Sequence, residues 1–202
     1  GVNNIARQQA QVVGGGVSGL TAALEAAETG YEVVLVEKQA ELGGWAAKLW
    51  KRAPARTPFT DPIATGIADL VARASKHPRI KVCLNSTIAE TSGAPGKFSV
   101  QIATESGATT TEMVGAIIQS TGFTSYDINK LPELGGGKSA NVVDQAGLER
   151  LAADAASKGQ VMRRPSDGGE IKSVVFVQCA GQRDDSGKHL PYCSGHCCNT
   201  SI

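Results

Sequence analysis

Four of the chain's five cysteines, Cys179, Cys193, Cys197 and Cys198, stand close together in the pattern C-x13-C-x3-C-C. Thiolates are soft, anionic ligands, and four converging on one loop suit a pair of disulfides, a zinc ion or an iron–sulfur cluster. The opening "GVNNIARQQA" lacks the charged-then-apolar layout of an export signal, which disfavours disulfides. Zinc generally takes two C-x2-4-C knuckles, and adjacent cysteines fit a tetrahedron poorly, so zinc ranks second. A cubane, whose irons sit on different corners, accepts the irregular spacing best.

A second constellation lies near the start. Gly14, Gly16 and Gly19 spell G-x-G-x-x-G inside "QVVGGGVSGLTAALEAAETGYEVVLVEK". One glycine serves a tight turn, one admits the backbone to a pyrophosphate, and one allows close packing of helix on strand. The helix start offers free N–H groups to phosphate. Glu37, at the end of the next strand, is placed to accept hydrogen bonds from a ribose diol.

These residues need elements to hold them. The first stretch reads as a βαβ unit with a parallel sheet. Val17, Leu20, Ala23, Leu24 and Ala27 recur at helical spacing as the stripe facing the sheet, Gly30 ends the helix, and "YEVVLVEK" is apolar enough for a strand covered on both faces. Residues 40–62 read as a long loop, with a short helix over 46–51. A helix follows over 63–75, burying Ile67, Leu70, Val71 and Ala74. "RIKVCLNSTI" is a strand, residues 97–113 a hairpin or meander, and residues 114–119 a buried strand. A helix is predicted over 145–156, and "SVVFVQCAG" as the first strand of a second unit whose helix starts near Cys197. Cys83, inside its strand, reads as a buried, inert thiol. His77, His189 and His196 show no ligand spacing among themselves; His196 is either a hydrogen-bond donor toward a cluster or a solvent-facing loop residue.

The bulk composition excludes several classes. With 20 Lys+Arg against 19 Asp+Glu the net charge is +1, so the basic footprint of a nucleic-acid binder is missing. No apolar stretch is long enough to span a bilayer, and the chain reads as cytoplasmic. Twenty-four glycines beside only two Trp, three Tyr and four Phe suggest backbone brought close to a buried cofactor.

After Glu37, the run "ELGGWAAKL" resembles the flavoprotein superfamily built on two dinucleotide-binding domains, whose members carry a second glycine pair and bind FAD; Gly43 and Gly44 match that pair, and "GAIIQSTG" resembles the family's later strand ending in a Thr-Gly turn. The resemblance implies an α/β, Rossmann-like FAD-binding domain over residues 1–125 with an inserted meander. It also implies a linker and the start of a second nucleotide-binding-like domain over 126–202, in a piece of a larger protein. FAD contacts are then expected at Gly14, Gly15, Gly16, Gly19, Glu37, Lys38, Gly43, Gly44, Trp45, Ile88, Thr121 and Gly122, with Lys48 close to the flavin; no catalytic residue beyond Lys48 is singled out.

"VVFVQCAGQRDDSGKHLPYCSGHCC" resembles the iron–sulfur segment of the flavin-bearing, A-type component of heterodisulfide reductase. "GGWAAKL" and "RPSDGGEIKSVVFVQCAGQR" are more similar still to the A-like components, the B component especially, of the quinone-interacting membrane-bound oxidoreductase of sulfate reducers. This implies a [4Fe-4S] cluster on Cys179, Cys193, Cys197 and Cys198 beside FAD. It further implies electron transfer within a membrane-associated complex of sulfate metabolism at the inner face of the membrane, reached through partner subunits, with adenylylsulfate reductase as a redox partner. The chain departs from the methanogen version in having no C-x2-C-x2-C run between residues 55 and 113, and it has no C-x-x-C near the flavin position. Two other readings remain: an NAD(P)H-dependent FAD oxidoreductase with incidental cysteines, and a zinc-stabilised nucleotide-binding scaffold without redox activity.

Overall fold

A computed structural model describes residues 8–193 and 195. The chain divides into two compact units, Gly1–Phe123 and Thr124–Ile202. His196, Cys197, Cys198 and the helix expected near them lie outside the described residues.

In the first unit, β1 (Gln9–Val13), β2 (Glu32–Val36), β3 (Ile80–Cys83) and β7 (Ala116–Gln119) form a parallel sheet in the order β3-β2-β1-β7. Helices α1 (Val17–Glu28) and α2 (Ile67–Lys76) cover one face. An antiparallel meander of β4 (Ser86–Ala94), β5 (Lys97–Thr104) and β6 (Thr109–Val114) covers the other. The layering explains β2: Val33 and Leu35 face the helices, Val34 and Val36 face the meander, and all four are buried. α1 ends in a Schellman turn, with Gly30 at φ 103°, its N–H donating to the Ala27 carbonyl and the Tyr31 N–H to the Ala26 carbonyl.

The α1 stripe holds at Leu20, Ala23, Leu24 and Ala27 but not at Val17, which is 46% exposed. Val17 is the first helical residue, and its side chain tilts toward the helix start and past the end of the sheet. In α2, Ile67 and Ala74 are buried while Leu70 and Val71 pack partly covered at the margin of the same core. The short helix expected over 46–51 is instead a 3-10 turn at Gly44–Lys48. The single strand expected over "RIKVCLNSTI" is two, β3 and β4, separated by Asn85 at φ 48°. The buried strand expected over 114–119 is split at Gly115, and β7 is only partly covered because it is an edge of the sheet.

Gln11 sits on β1 with no exposed surface, on the meander side. Its amide Nε2 donates to the Val34 carbonyl at 2.9 Å and to the Val12 carbonyl at 3.3 Å, while Oε1 has no partner.

The second unit is held by α3 (Gln145–Ser157), whose N-terminus is capped by the Asp144 carboxylate accepting from Gly147 N–H at 2.7 Å. 3-10 turns Ile128–Lys130 and Pro132–Leu134 pack near Leu131, which is buried. The strand expected over 173–179 is not formed: Val174, Val175, Phe176 and Val177 are exposed and have no ladder partner among the described residues. A β-rich run becomes a strand only where a neighbour takes up its N–H and C=O groups.

Replacing Gln11 by the near-isosteric Met removes the unpaired oxygen together with the amide. Gln11→Met is expected to raise the urea midpoint, by a stabilisation on the order of 1 kcal/mol; a lower midpoint would show that the amide's two hydrogen bonds outweigh the stranded acceptor.

Candidate functional site

The loop between β1 and α1 is fixed from three sides. Gly14 has φ 104°, and a methyl group there would overlap the carbonyl oxygen of Ser120, at the end of β7. Gly14 N–H donates to the Val36 carbonyl and Ser120 N–H to the Val13 carbonyl, each at 2.8 Å, so the ends of β1, β2 and β7 are laced together. A methyl at Gly19 would overlap the Gly14 carbonyl oxygen, so α1 can approach the strand end only with glycine there. Gly15 donates its N–H to Glu37 Oε2 at 2.6 Å and accepts at its carbonyl from Gly43 N–H at 2.8 Å.

Gly16 is different. Its backbone is extended, at φ −79° and ψ −173°, which any residue adopts, and a Cβ there would meet nothing within 4 Å. Among the described residues, neither conformation nor packing requires glycine at this position. Open space at the N-terminus of a helix, floored by backbone, is what a pyrophosphate needs.

Glu37 is buried, and each of its carboxylate oxygens accepts a backbone N–H: Oε2 from Gly15, Oε1 from Gln39 at 2.8 Å. The acid therefore latches the glycine loop, and the remaining lone pairs are what it has for a ribose. Beside it, Lys38, Gln39, Asn85 and Thr87 line a cleft of about 410 Å³. Ile88, next to Thr87, packs its side chain into the core between sheet and meander.

The second glycine pair joins the first. Gly43 is at φ 113° and Gly44 at φ 55°, and a Cβ on Gly44 would lie 3.0 Å from Gly16 Cα. Trp45 and Lys48 continue from there in the 3-10 turn, with Lys48 Nζ 4.7 Å from the Trp45 ring centroid. Thr121 and Gly122, the latter at φ 70°, follow β7 on the side of Gly14. Thus the structure gathers Gly14, Gly15, Gly16, Gly19, Glu37, Gly43 and Gly44 into one continuous cradle, which fits a dinucleotide diphosphate.

Phe123 joins the site without any expectation from the sequence. It stacks on Trp45 with centroids 5.5 Å apart and planes 7° apart, and Trp45 Nε1–H donates to its carbonyl at 3.3 Å. Its only local signal is its place one residue after the Thr-Gly turn.

In the second unit, the segment between Cys179 and Cys193 folds back on itself. Leu190 N–H donates to the Gly181 carbonyl, Asp184 N–H to Leu190 and Arg183 N–H to Tyr192, which closes the segment on itself with Gln182 and Leu190 bridged in parallel. Cys179 is half-buried with φ 55°; Cys193 is exposed, and its Sγ accepts the Gly195 N–H at 3.4 Å. No group of three or more His, Cys, Asp or Glu side chains poised for a metal occurs among the described residues, a set that excludes Cys197 and Cys198. Asp184 braces the turn by accepting from Ser186 Oγ, His189 N–H and Ser186 N–H, and those bonds, the Ser186 side chain's foremost, lower its carboxyl pKa to about 2. His189 bonds Tyr126 through Nδ1 at 2.6 Å. Neither group stands out in the sequence, although Asp-x-Ser is a recognisable side-chain-to-backbone turn.

Cys83 is half-buried rather than enclosed. Burial raises its thiol pKa, with Lys81 opposing that and Glu112 adding to it.

A model of the NAD(P)-binding Rossmann-like domain matches residues 12–54, the span holding the cradle's two glycine sets and Glu37. The second A-type iron-sulfur component of the CoB–CoM heterodisulfide reductases of Methanopyrus kandleri is 29% identical over 265 aligned positions, covering 94% of this chain and 40% of that protein. The corresponding A-type iron-sulfur component of Methanocaldococcus jannaschii is 28% identical, covering 93% of this chain and 39% of that protein. The chain therefore spans about two-fifths of the length of these curated relatives. Among solved structures, thioredoxin reductase of T. acidophilum aligns with a TM-score of 0.47 and 19% identity over 60% of this chain and 38% of that one. No described helix is long and apolar enough to cross a membrane.

Gly19 and Gly16 are expected to respond differently to alanine. Gly19→Ala should destabilise the first unit by about 3 kcal/mol or more, because backbone blocks the added methyl. Gly16→Ala should change stability by less than about 1 kcal/mol while weakening ADP binding severely; equal effects on stability in denaturant titrations would contradict this assignment. For Asp184, a folded pKa below the unfolded value means its bonds stabilise the turn above the ordinary carboxylate pKa and are lost as pH falls toward about 2. An NMR titration of its carboxyl carbon with a midpoint near the ordinary carboxylate value would contradict the bracing. The first unit has a Rossmann-like α/β fold, and the chain is similar to A-type components of heterodisulfide reductases.

Proposed function

We propose that this chain is the flavin- and cluster-bearing part of an electron-transfer oxidoreductase of the heterodisulfide reductase A type. The observation that carries the reading is Gly16, a glycine that the fold itself does not require, at the one point of the cradle left open. The amides of the glycine loop and the N-terminus of α1 would receive the diphosphate of FAD. Glu37 would take the ribose with the lone pairs left after its two backbone bonds, and the cleft beside Lys38 and Thr87 would take the adenine end. Lys48 would stand as a cation toward the ring. FAD, when bound, supplies interchange between paired and single electrons.

Cys179 and Cys193, which flank the closed loop, would join Cys197 and Cys198 in ligating a [4Fe-4S] cluster; the Gly195 N–H to Cys193 Sγ is the kind of donor that steadies a ligated thiolate. The iron-sulfur naming of the relatives supports this half of the proposal. The resemblances carried by "GGWAAKL" and "RPSDGGEIKSVVFVQCAGQR" support a finer assignment: a quinone-linked complex of sulfate metabolism at the inner membrane face, with adenylylsulfate reductase as a redox partner.

Anaerobic reconstitution with iron, sulfide and FAD is expected to yield one flavin with roughly four irons and four sulfides per chain, and Cys179→Ala or Cys193→Ala should lower the iron content while leaving the flavin in place. One zinc and no flavin would overturn the proposal in favour of a scaffold module. Iron-free protein whose flavin is rapidly bleached by NADPH would overturn it in favour of an NAD(P)H-dependent oxidoreductase.

A further inference from the structure

We propose that the Trp45 indole is a stacking platform for the planar ring of the bound dinucleotide, and that the Phe123 side chain occupies this platform as a removable placeholder. The inference rests on the dinucleotide reading of the cradle and adds to it the residue that guards the ring's place.

Trp45 follows Gly44, which abuts Gly16, and Phe123 follows the Thr121-Gly122 turn that leaves β7 behind Gly14. The pair thus spans the two lips of the cradle. The rings lie nearly parallel, with planes 7° apart and centroids 5.5 Å apart, an offset stack that a flat heterocycle would reproduce. Phe123 remains 68% exposed despite the stack, so little apolar contact is lost when its ring swings out. Trp45, by contrast, is half-buried, and its indole N–H is held by the Phe123 carbonyl rather than by the ring. Rotation of Phe123 about its side-chain bonds would therefore clear the platform without releasing the tryptophan. Lys48 Nζ lies over the indole, 4.7 Å from its centroid, and keeps a positive charge at the platform. An electron-poor isoalloxazine over an electron-rich indole fits this chemistry.

The test compares FAD with ADP, which enters the cradle but has no ring for the platform. Phe123→Ala should tighten FAD binding about three- to tenfold and Trp45→Ala should weaken it by a similar factor, with ADP affinity unchanged in both. Trp45→Phe and Phe123→Tyr should restore near-native values. With two tryptophans in the chain, Trp50→Phe leaves Trp45 as the only indole, and FAD should quench its emission where ADP does not. FAD affinity indifferent to both alanine substitutions, or equal quenching by ADP, would overturn the platform while leaving the cradle intact. If neither FAD nor ADP binds the unaltered protein, the dinucleotide reading fails and the platform with it.

Discussion

The structure turns on one close approach, that of Gly19 in α1 to the Gly14 carbonyl at the end of β1. No side chain fits between them. Because the helix sits that near, its N-terminal amides emerge directly over the strand end, where the field of the helix favours negative charge. Gly14 in turn lies against Ser120, so the same point fixes where β7 must end. A wider gap would separate the helix start from the loop that has to present it.

Around this contact the polar groups answer to one another. Glu37 gives one oxygen to the glycine loop and one to its own strand's continuation, and charge-assisted bonds of this kind are stronger than neutral ones. Gly15 passes the restraint on to Gly43 through its carbonyl. The result is a loop braced from within on every side except the one that faces open space. Gln11 breaks that economy a short way down β1, with a carbonyl oxygen enclosed between apolar layers.

The cradle is legible in the sequence because glycine spacing and an acid at a strand end are consequences of backbone geometry, and backbone geometry is local. The βαβ order, the meander and the two later helices are legible for the same reason, as periodicities of neighbouring residues, although the helix expected from residue 63 begins at Ile67. What escapes depends on remote partners. Val174 to Val177 have the composition of a strand, yet a strand exists only beside another. Val17 fits the helical stripe but lies beyond the edge of what α1 covers. Phe123 meets Trp45 across a long stretch of chain that no local pattern encodes.

The pairing of β1 with β7 joins Ala10 to Ala116, whereas the meander pairs only near neighbours in sequence. Closing the β1–β7 pair therefore costs more chain entropy than closing either hairpin of the meander. Since Ser120 forms the wall behind Gly14, the cradle is complete only where that distant seam is closed, so its shape depends on the costliest pairing in the sheet.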